Sequence, residues 1–174
     1  MLKLLIADAG ESFLLALAEQ TRGTYRVRLC QEGKEALQMI LSYKPDLLGL
    51  DTIRETEKEF SIGAMVTLRQ LEQHPGLHAH TDGAMANAVK DIVGVQFRNM
   101  ATVGGSIWGR FGFSDVLTVF LAMDSYVELY KGGIIPLEQF AKMKKDNDIL
   151  VRLIVKKTPC KIVYTSMRNQ RTDF

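Results

Sequence analysis

Between Gln96 and Asp115 the chain reads QFRNMATVGGSIWGRFGFSD, a stretch whose residue types and spacing could do chemistry. Arg98 brings a positive charge, Thr102 and Ser106 place hydroxyls on either side of Gly104 and Gly105, and Asp115 adds an acid nine residues beyond Ser106. Adjacent glycines let backbone N–H groups, including those of Val103 and its neighbours, turn toward one point without Cβ interference, which suits the oxygens of a phosphate or pyrophosphate. The hydroxyls can add donors, and the acid can take a ribose hydroxyl or an adenine amine. The same residues also suit a plain Gly-Gly turn between two strands. Trp108, Phe111 and Phe113 flank the glycines either as core or as the wall of a ligand site.

A second chemical pattern lies near the N-terminus. Asp8 and Asp51 each follow a short apolar run, so both fall at the carboxyl ends of candidate strands, where ligands bind in parallel α/β sheets. Two carboxylates meeting there can hold Mg²⁺, and one can accept a phosphoryl group. They also read as two leftover acids on a scaffold. His74, His78 and His80 lie in a Pro/Gly segment with no common metal spacing and read as a solvated loop. Lys142, Lys144, Lys145, Lys156 and Lys157 read as a solvated basic face.

The elements that must position these residues change character part-way along the chain. Leu2–Ala7 predicts a buried strand, 11–21 a helix ending at Gly23, Tyr25–Cys30 a strand, 33–43 a second helix broken at Pro45, and 46–50 a third strand. That order, β-α-β-α-β with short joints, predicts a parallel sheet with right-handed crossovers. The polar segment TIRETEK, 52–58, then marks a boundary between residues 1–52 and 53–174. Beyond it come an apolar run at 60–64 and a helix opened by the Thr67/Gln70 capping pair. A small-residue helix follows over 83–93, and a helix over 114–123 that Ser114 and Asp115 either cap or leave for a ligand. A hairpin turning at 131–133, a short helix from Pro136, and strands over 149–155 and 161–164 complete the pattern.

Residues 1–51, through LLIAD and QEGKEALQMILSYKPDLLGLD, resemble the first half of a response-regulator receiver domain. The resemblance puts Asp51 at the phosphoacceptor position and Asp8 at one Mg²⁺-binding acid, while Ala9 stands where that family has its second acid. From Phe60 onward the chain resembles the FAD-binding domain of molybdenum hydroxylases, the xanthine dehydrogenase and carbon monoxide dehydrogenase flavoproteins. The motifs are SIGAMVTLRQLEQHPGL, VGVQFRNMATVGGSI, the Ser114-Asp115 pair, LAMDSYVELY, IIPLEQF and YTSMRNQRTDF. This resemblance implies that Thr102, Val103, Gly104, Gly105 and Ser106 wrap the FAD pyrophosphate, that Asp115 binds the adenosine part, and that Ile92 and Leu150 touch flavin or adenine. It implies an oxidoreductase component that passes electrons among FAD, iron–sulfur and molybdenum-cofactor subunits. The AGGTDL-type loop that grips the other side of the pyrophosphate in that family is not found in the sequence, so weakened FAD binding is expected. The whole reads as a mosaic: a receiver-like α/β half joined to an α+β FAD-binding fragment, with phosphorylation-dependent signalling through Asp51 as the alternative function.

Composition sets the outer limits. The 174 residues are 47% hydrophobic and 24% charged, in the range of globular domains. A net charge of +2 gives no bulk electrostatic argument for nucleic acid or membrane binding. No run of about twenty apolar residues spans a bilayer. The acidic start after MLKLLIA is unlike a secretory signal, and Cys30 and Cys160 read as buried, reduced thiols, so a cytoplasmic protein is expected.

Overall fold

The computed structural model describes residues 2–7, 25–30 and 50–167. The chain divides into two compact units, 1–48 and 49–174. In the first, β1 (Leu2–Ala7) and β2 (Tyr25–Cys30) pair in parallel, Leu2 opposite Tyr25 and Ala7 opposite Cys30. Both strands fall on the stretches that their apolar and alternating patterns predict. The helices expected at 11–21 and 33–43, and Asp8, lie outside the described residues. So does the third strand except for Leu50, which stands in a turn.

The second unit is a mixed α+β fold. Its sheet has five antiparallel strands in the order β3 (Ile53–Glu55), β4 (Glu59–Gly63), β7 (Leu150–Lys156), β5 (Ser125–Leu129), β6 (Gly133–Pro136). The polar segment 52–58 supplies β3 and the turn into β4, with Thr56 Oγ1 accepting from the Lys58 and Glu59 amides. β5 buries every second residue, as a strand with one face on a core must, whereas β7 buries Leu153, Ile154 and Val155 in succession. The strand expected over 161–164 is absent; that segment has no regular structure.

Among the described residues seven short helices accompany the sheet: α1 (Leu68–Gln73), α2 (Pro75–His80), α3 (Ala84–Lys90), α4 (Val95–Met100), α5 (Val103–Trp108), α6 (Asp115–Leu121) and α7 (Leu137–Lys142). Thr67 and Gln70 form the expected capping box on α1. His74-Pro75 ends α1 and at once starts α2: the His74 ring accepts from the Leu77 amide and Pro75 occupies the first turn, where its missing N–H costs nothing. The three histidines therefore sit on and beside a helix rather than in a loop. Among the described residues no group of three His, Cys, Asp or Glu side chains could hold a metal ion. Helices and sheet close on one core, in which Phe60, Phe120 and Phe140 are fully buried. Each such ring contributes roughly 1.5–3 kcal/mol through the area it removes from water. Among the described residues no helix is long and apolar enough to cross a membrane.

Candidate functional site

The Gly104–Gly105 pair does not form a turn between strands. Thr102 caps α5, its hydroxyl accepting from the Gly105 amide at 3.2 Å, and the glycines lie in the helix's first turn. What fixes this start is a short antiparallel contact. Thr67 bridges Thr102, the Leu68 amide donates to Ala101 O at 2.9 Å, and the Val103 amide donates to Val66 O at 2.8 Å. The capped starts of α1 and α5 are thus held side by side. Gly104 is needed because the helix sits directly on the end of β4: its amide donates to Ala64 O at 2.7 Å, and a Cβ there would meet that oxygen at 2.6 Å. Gly105 is different. It is exposed, and a Cβ would meet only the Thr102 hydroxyl oxygen at 3.4 Å.

Beside this helix lies a cavity of about 340 Å³. Thr102, Gly105, Ser106, Ser114 and Asp115 line its polar side, and Leu68, Ile92, Phe97 and Val116 its apolar side, with Phe111 and Phe113 also facing it. The fold therefore brings together residues that the sequence separates: the hydroxyls of α5, the cap of α6 and Asp115, and Ile92 from beyond α3. Leu150 is not among the lining residues; it is buried in β7 as part of the core. Val103 and Gly104 are buried behind the wall rather than on it.

Three further assignments differ from the sequence reading. Arg98, the positive charge of the opening stretch, is 5% exposed and serves the scaffold. Its Nε donates to Glu72 Oε2 at 3.0 Å, and its Nη1 to the carbonyls of Ile92 and Val93 at 3.2 and 3.3 Å. Burial alone would raise the Glu72 carboxyl, but hydrogen bonds from Arg69 and Arg98 outweigh it and hold the group below its ordinary value of 4.5. The contact to Val93 also secures a β-branched residue at φ +49°, a conformation that costs energy without such support. Second, the backbone N–H groups of the glycine stretch are not gathered on one point. Those of Val103, Gly104, Gly105 and Ser106 donate to Val66 O, Ala64 O, Thr102 Oγ1 and Thr102 O. The Ser106 and Ser114 hydroxyls in turn donate to Thr102 O at 3.2 Å and Ser106 O at 3.4 Å, so among the described residues of this stretch the Thr102 hydroxyl is the donor left to the cavity. Third, the aromatic residues divide. Phe111 and Phe113 stack on each other at the cavity, centroids 5.1 Å apart, while Trp108 packs inward against Phe140 at 5.8 Å.

Ser114 takes the capping role at α6, and Asp115 is left beside the cavity. The Ser114 hydroxyl caps α6 by accepting from the Leu117 amide at 3.2 Å, and Asp115, half-buried in the first turn, faces the cavity. The Tyr164 hydroxyl donates to Asp115 Oδ1, a partnership across 49 residues with no local signal to announce it. At the other candidate site Asp51 is exposed in a turn, where its carbonyl accepts from Gln70 Nε2 at 3.2 Å. Cys160 is exposed, with its sulfur 3.9 Å from His80 Nε2, so it is not the buried thiol expected. In the lysine cluster, Lys142, Lys156 and Lys157 pair with Glu138, Glu59 and Glu55.

Residues 23–157 match the family described as FAD binding domain in molybdopterin dehydrogenase. The chain belongs to this family. The match begins inside the receiver-like stretch, so more than half of residues 1–51 falls within the FAD-binding domain family. Among curated proteins the chain is 31% identical over 80 residues to the nicotinate dehydrogenase FAD-subunit of Eubacterium barkeri, covering 46% of this chain and 27% of that protein. It is 29% identical over 92 residues to aldehyde oxidase 2 of Cavia porcellus, covering 48% of this chain and 7% of that protein. The chain thus spans a minor part of these relatives. The fold is similar to that of quinoline 2-oxidoreductase from Pseudomonas putida 86, with a TM-score of 0.66 at 16% identity over 98% of this chain and 65% of the other. For carbon monoxide dehydrogenase from Hydrogenophaga pseudoflava the TM-score is 0.62 at 21% identity, over 100% and 66%.

FAD is the cofactor of this family, and the cavity's chemistry accommodates part of such a molecule. Its volume is near the low end of the roughly 300–1,000 Å³ usual for small-molecule sites. Gly105 leaves open space where any side chain would protrude, and apolar walls meet a few hydroxyls and one carboxylate. That donor set suits a planar ring and a sugar. No lysine or arginine is among the residues that line it, so it is less suited to a bare diphosphate.

Proposed function

We propose that this chain is the FAD-holding part of a molybdenum-hydroxylase flavoprotein, working with iron–sulfur and molybdenum-cofactor subunits. The observation that supports it most is the convergence of Thr102, Ser106 and Asp115 on one cavity with aromatic residues at its side. In this reading the Thr102 hydroxyl donates to the dinucleotide, and the Ser106 hydroxyl turns from Thr102 O to do the same. Asp115, held by Tyr164, accepts from a hydroxyl or amine of the adenosine part, and Ile92, Phe97 and Leu68 exclude water around it. The flavin, when bound, supplies the redox chemistry; the protein contributes position and electrostatics. Turnover of any hydroxylated substrate belongs to a different subunit.

Binding by this chain alone is expected to be weak. The amides of the glycine stretch are already committed, and a cavity of about 340 Å³ encloses only a portion of the cofactor. Titration of the purified chain with FAD, read by flavin fluorescence, tests both statements. Saturable binding that Asp115→Asn weakens by roughly ten- to a hundredfold is the expected result, from the loss of about 1.5–3 kcal/mol for a hydrogen bond to a charged acceptor. No binding at millimolar FAD would remove the proposal, and tight stoichiometric binding would remove the expectation of weakness.

A further inference from the structure

Arg110 is out of keeping with its surroundings. It is a non-glycine residue at φ +51°, directly between Gly109 and Phe111. Its guanidinium lies over two rings, 4.0 Å from the Phe140 centroid and 5.0 Å from that of Trp108. Nη1 donates to Met143 O at 3.2 Å, at the end of α7. Nε and Nη2 are buried and find no hydrogen-bond partner among the described residues. An arginine in an unfavourable backbone conformation, with one edge unsatisfied, is fixed there by its contacts with the two rings and the Met143 carbonyl.

What it holds is the turn beside the cavity. The residues that follow put two phenylalanines, 50% and 75% exposed, in a stack at the cavity. Such rings on a flexible turn would collapse onto apolar surface or swing into water. Here Phe111 is folded back so closely that a Cβ on Gly109 would meet its ring at 2.6 Å. Lys145 Nζ sits 5.1 Å over the ring, and the Ser114 amide donates to Phe111 O at 3.0 Å. Directly before Phe111 the anchor is Arg110, gripped by residues of α5 and α7. We propose that Arg110 is a positioning residue, whose guanidinium pins the 109–113 turn so that Phe111 and Phe113 stand as a fixed aromatic lip for the ring system entering the cavity. The inference rests on reading that cavity as the dinucleotide site.

The test compares wild type, Arg110→Met, Arg110→Lys, the double variant Phe111→Ala/Phe113→Ala, and Arg110→Met in that double background. Limited chymotrypsin digestion with the fragments identified by mass reports the lip directly, because cuts after Phe111 and Phe113 are told apart from those at other exposed aromatic residues such as Phe97 and Tyr130. Arg110→Met is expected to be cut there at least fivefold faster, with a thermal midpoint within a few degrees of wild type. Arg110→Lys, which keeps the cation over the rings, falls between. In FAD titrations Arg110→Met is expected to weaken binding about tenfold in the wild-type background and less than twofold once both phenylalanines are gone. Unchanged cleavage would overturn the pin, whether or not FAD binds. An equal loss of affinity in both backgrounds would show that Arg110 acts independently of the lip. Faster cleavage of Arg110→Met, together with a wild type that binds no FAD, would end the cofactor reading and leave the pin standing. The sole tryptophan, Trp108, adds a further readout, since removing the guanidinium stacked on it changes its emission in the same variants.

Discussion

Adding one methyl group to each of the two adjacent glycines should move the protein in opposite directions. At Gly104 the new Cβ would lie 2.6 Å from Ala64 O and 2.9 Å from Ala64 Cβ, contacts that backbone atoms cannot escape by rotating. The start of α5 must lift from the end of β4, which strains the 2.7 Å hydrogen bond between the Gly104 amide and Ala64 O. Overpacking of this kind costs about 1–3 kcal/mol. At Gly105 the Cβ meets nothing closer than the Thr102 hydroxyl at 3.4 Å. The backbone there is helical, so alanine gains about 0.5–1 kcal/mol from its propensity and from the reduced freedom of the unfolded chain. The separation between the variants is therefore about 1.5–4 kcal/mol in stability, or several degrees or more in thermal midpoint. Binding runs the other way for Gly105→Ala: the methyl stands on the wall of a small cavity, so FAD should bind less well to the more stable protein. Thermal denaturation and FAD titration of both variants suffice. Equal destabilisation, or Gly105→Ala that is both stabilised and unimpaired in binding, would refute the placement of these glycines.

Other outcomes follow from contacts away from the glycines. Glu72→Ala leaves Arg98 buried with one partner fewer, and a loss near the low end of about 3–5 kcal/mol is expected from urea unfolding, since Arg98 keeps its contacts with the Ile92 and Val93 carbonyls. Tyr164→Phe removes the hydroxyl held by Asp115, and about 0.5–1.5 kcal/mol of stability with it; FAD affinity falls because the carboxylate loses its orientation. The pH dependence has a definite sign. Glu72 is held below 4.5 as already described; at Asp148 burial raises the carboxyl, but amides of Lys131, Ile149 and Gly132 outweigh it and hold the group below its ordinary 3.8. Groups with depressed folded values contribute stability above their unfolded values, and that contribution is lost as pH falls through the folded ones. Acid unfolding should steepen below about pH 4.5, and Asp148→Asn should flatten that limb, its stability deficit being present near pH 7 and vanishing in acid.

Local signals in the sequence were enough for much of the scaffold. Alternation in SYVELY and the long apolar run of LVRLIVK marked strands, and the Thr67/Gln70 pair marked a helix start, because each depends on neighbours a few residues away. The cavity was partly legible for the same reason: hydroxyls beside glycines, and an acid at a helix cap, are short-range patterns. The role of Arg98 was not legible because its partner Glu72 lies 26 residues earlier and only the packing of α4 on α1 joins them. The place of the glycine pair was not legible because a turn and a tight helix start ask for the same residue, and what decides is the approach of Ala64. Residues 161–164, apolar enough for a strand, acquire no strand partner. The aromatic lip depends on Arg110, whose left-handed backbone no composition rule foretells.

The order of the five-stranded sheet has a consequence for how this protein meets other chains. Its two borders are β3, three residues long with Arg54 and Glu55 exposed, and β6, which closes on Pro136. A short charged border and a proline without an N–H are poor templates for a further strand. Growth of this sheet by edge addition is therefore discouraged at both ends, so concentrated protein should not polymerise into cross-β material by that route. Recruitment into a larger assembly is left to side-chain surfaces, on helices and loops, where recognition depends on shape and charge rather than on backbone ladders.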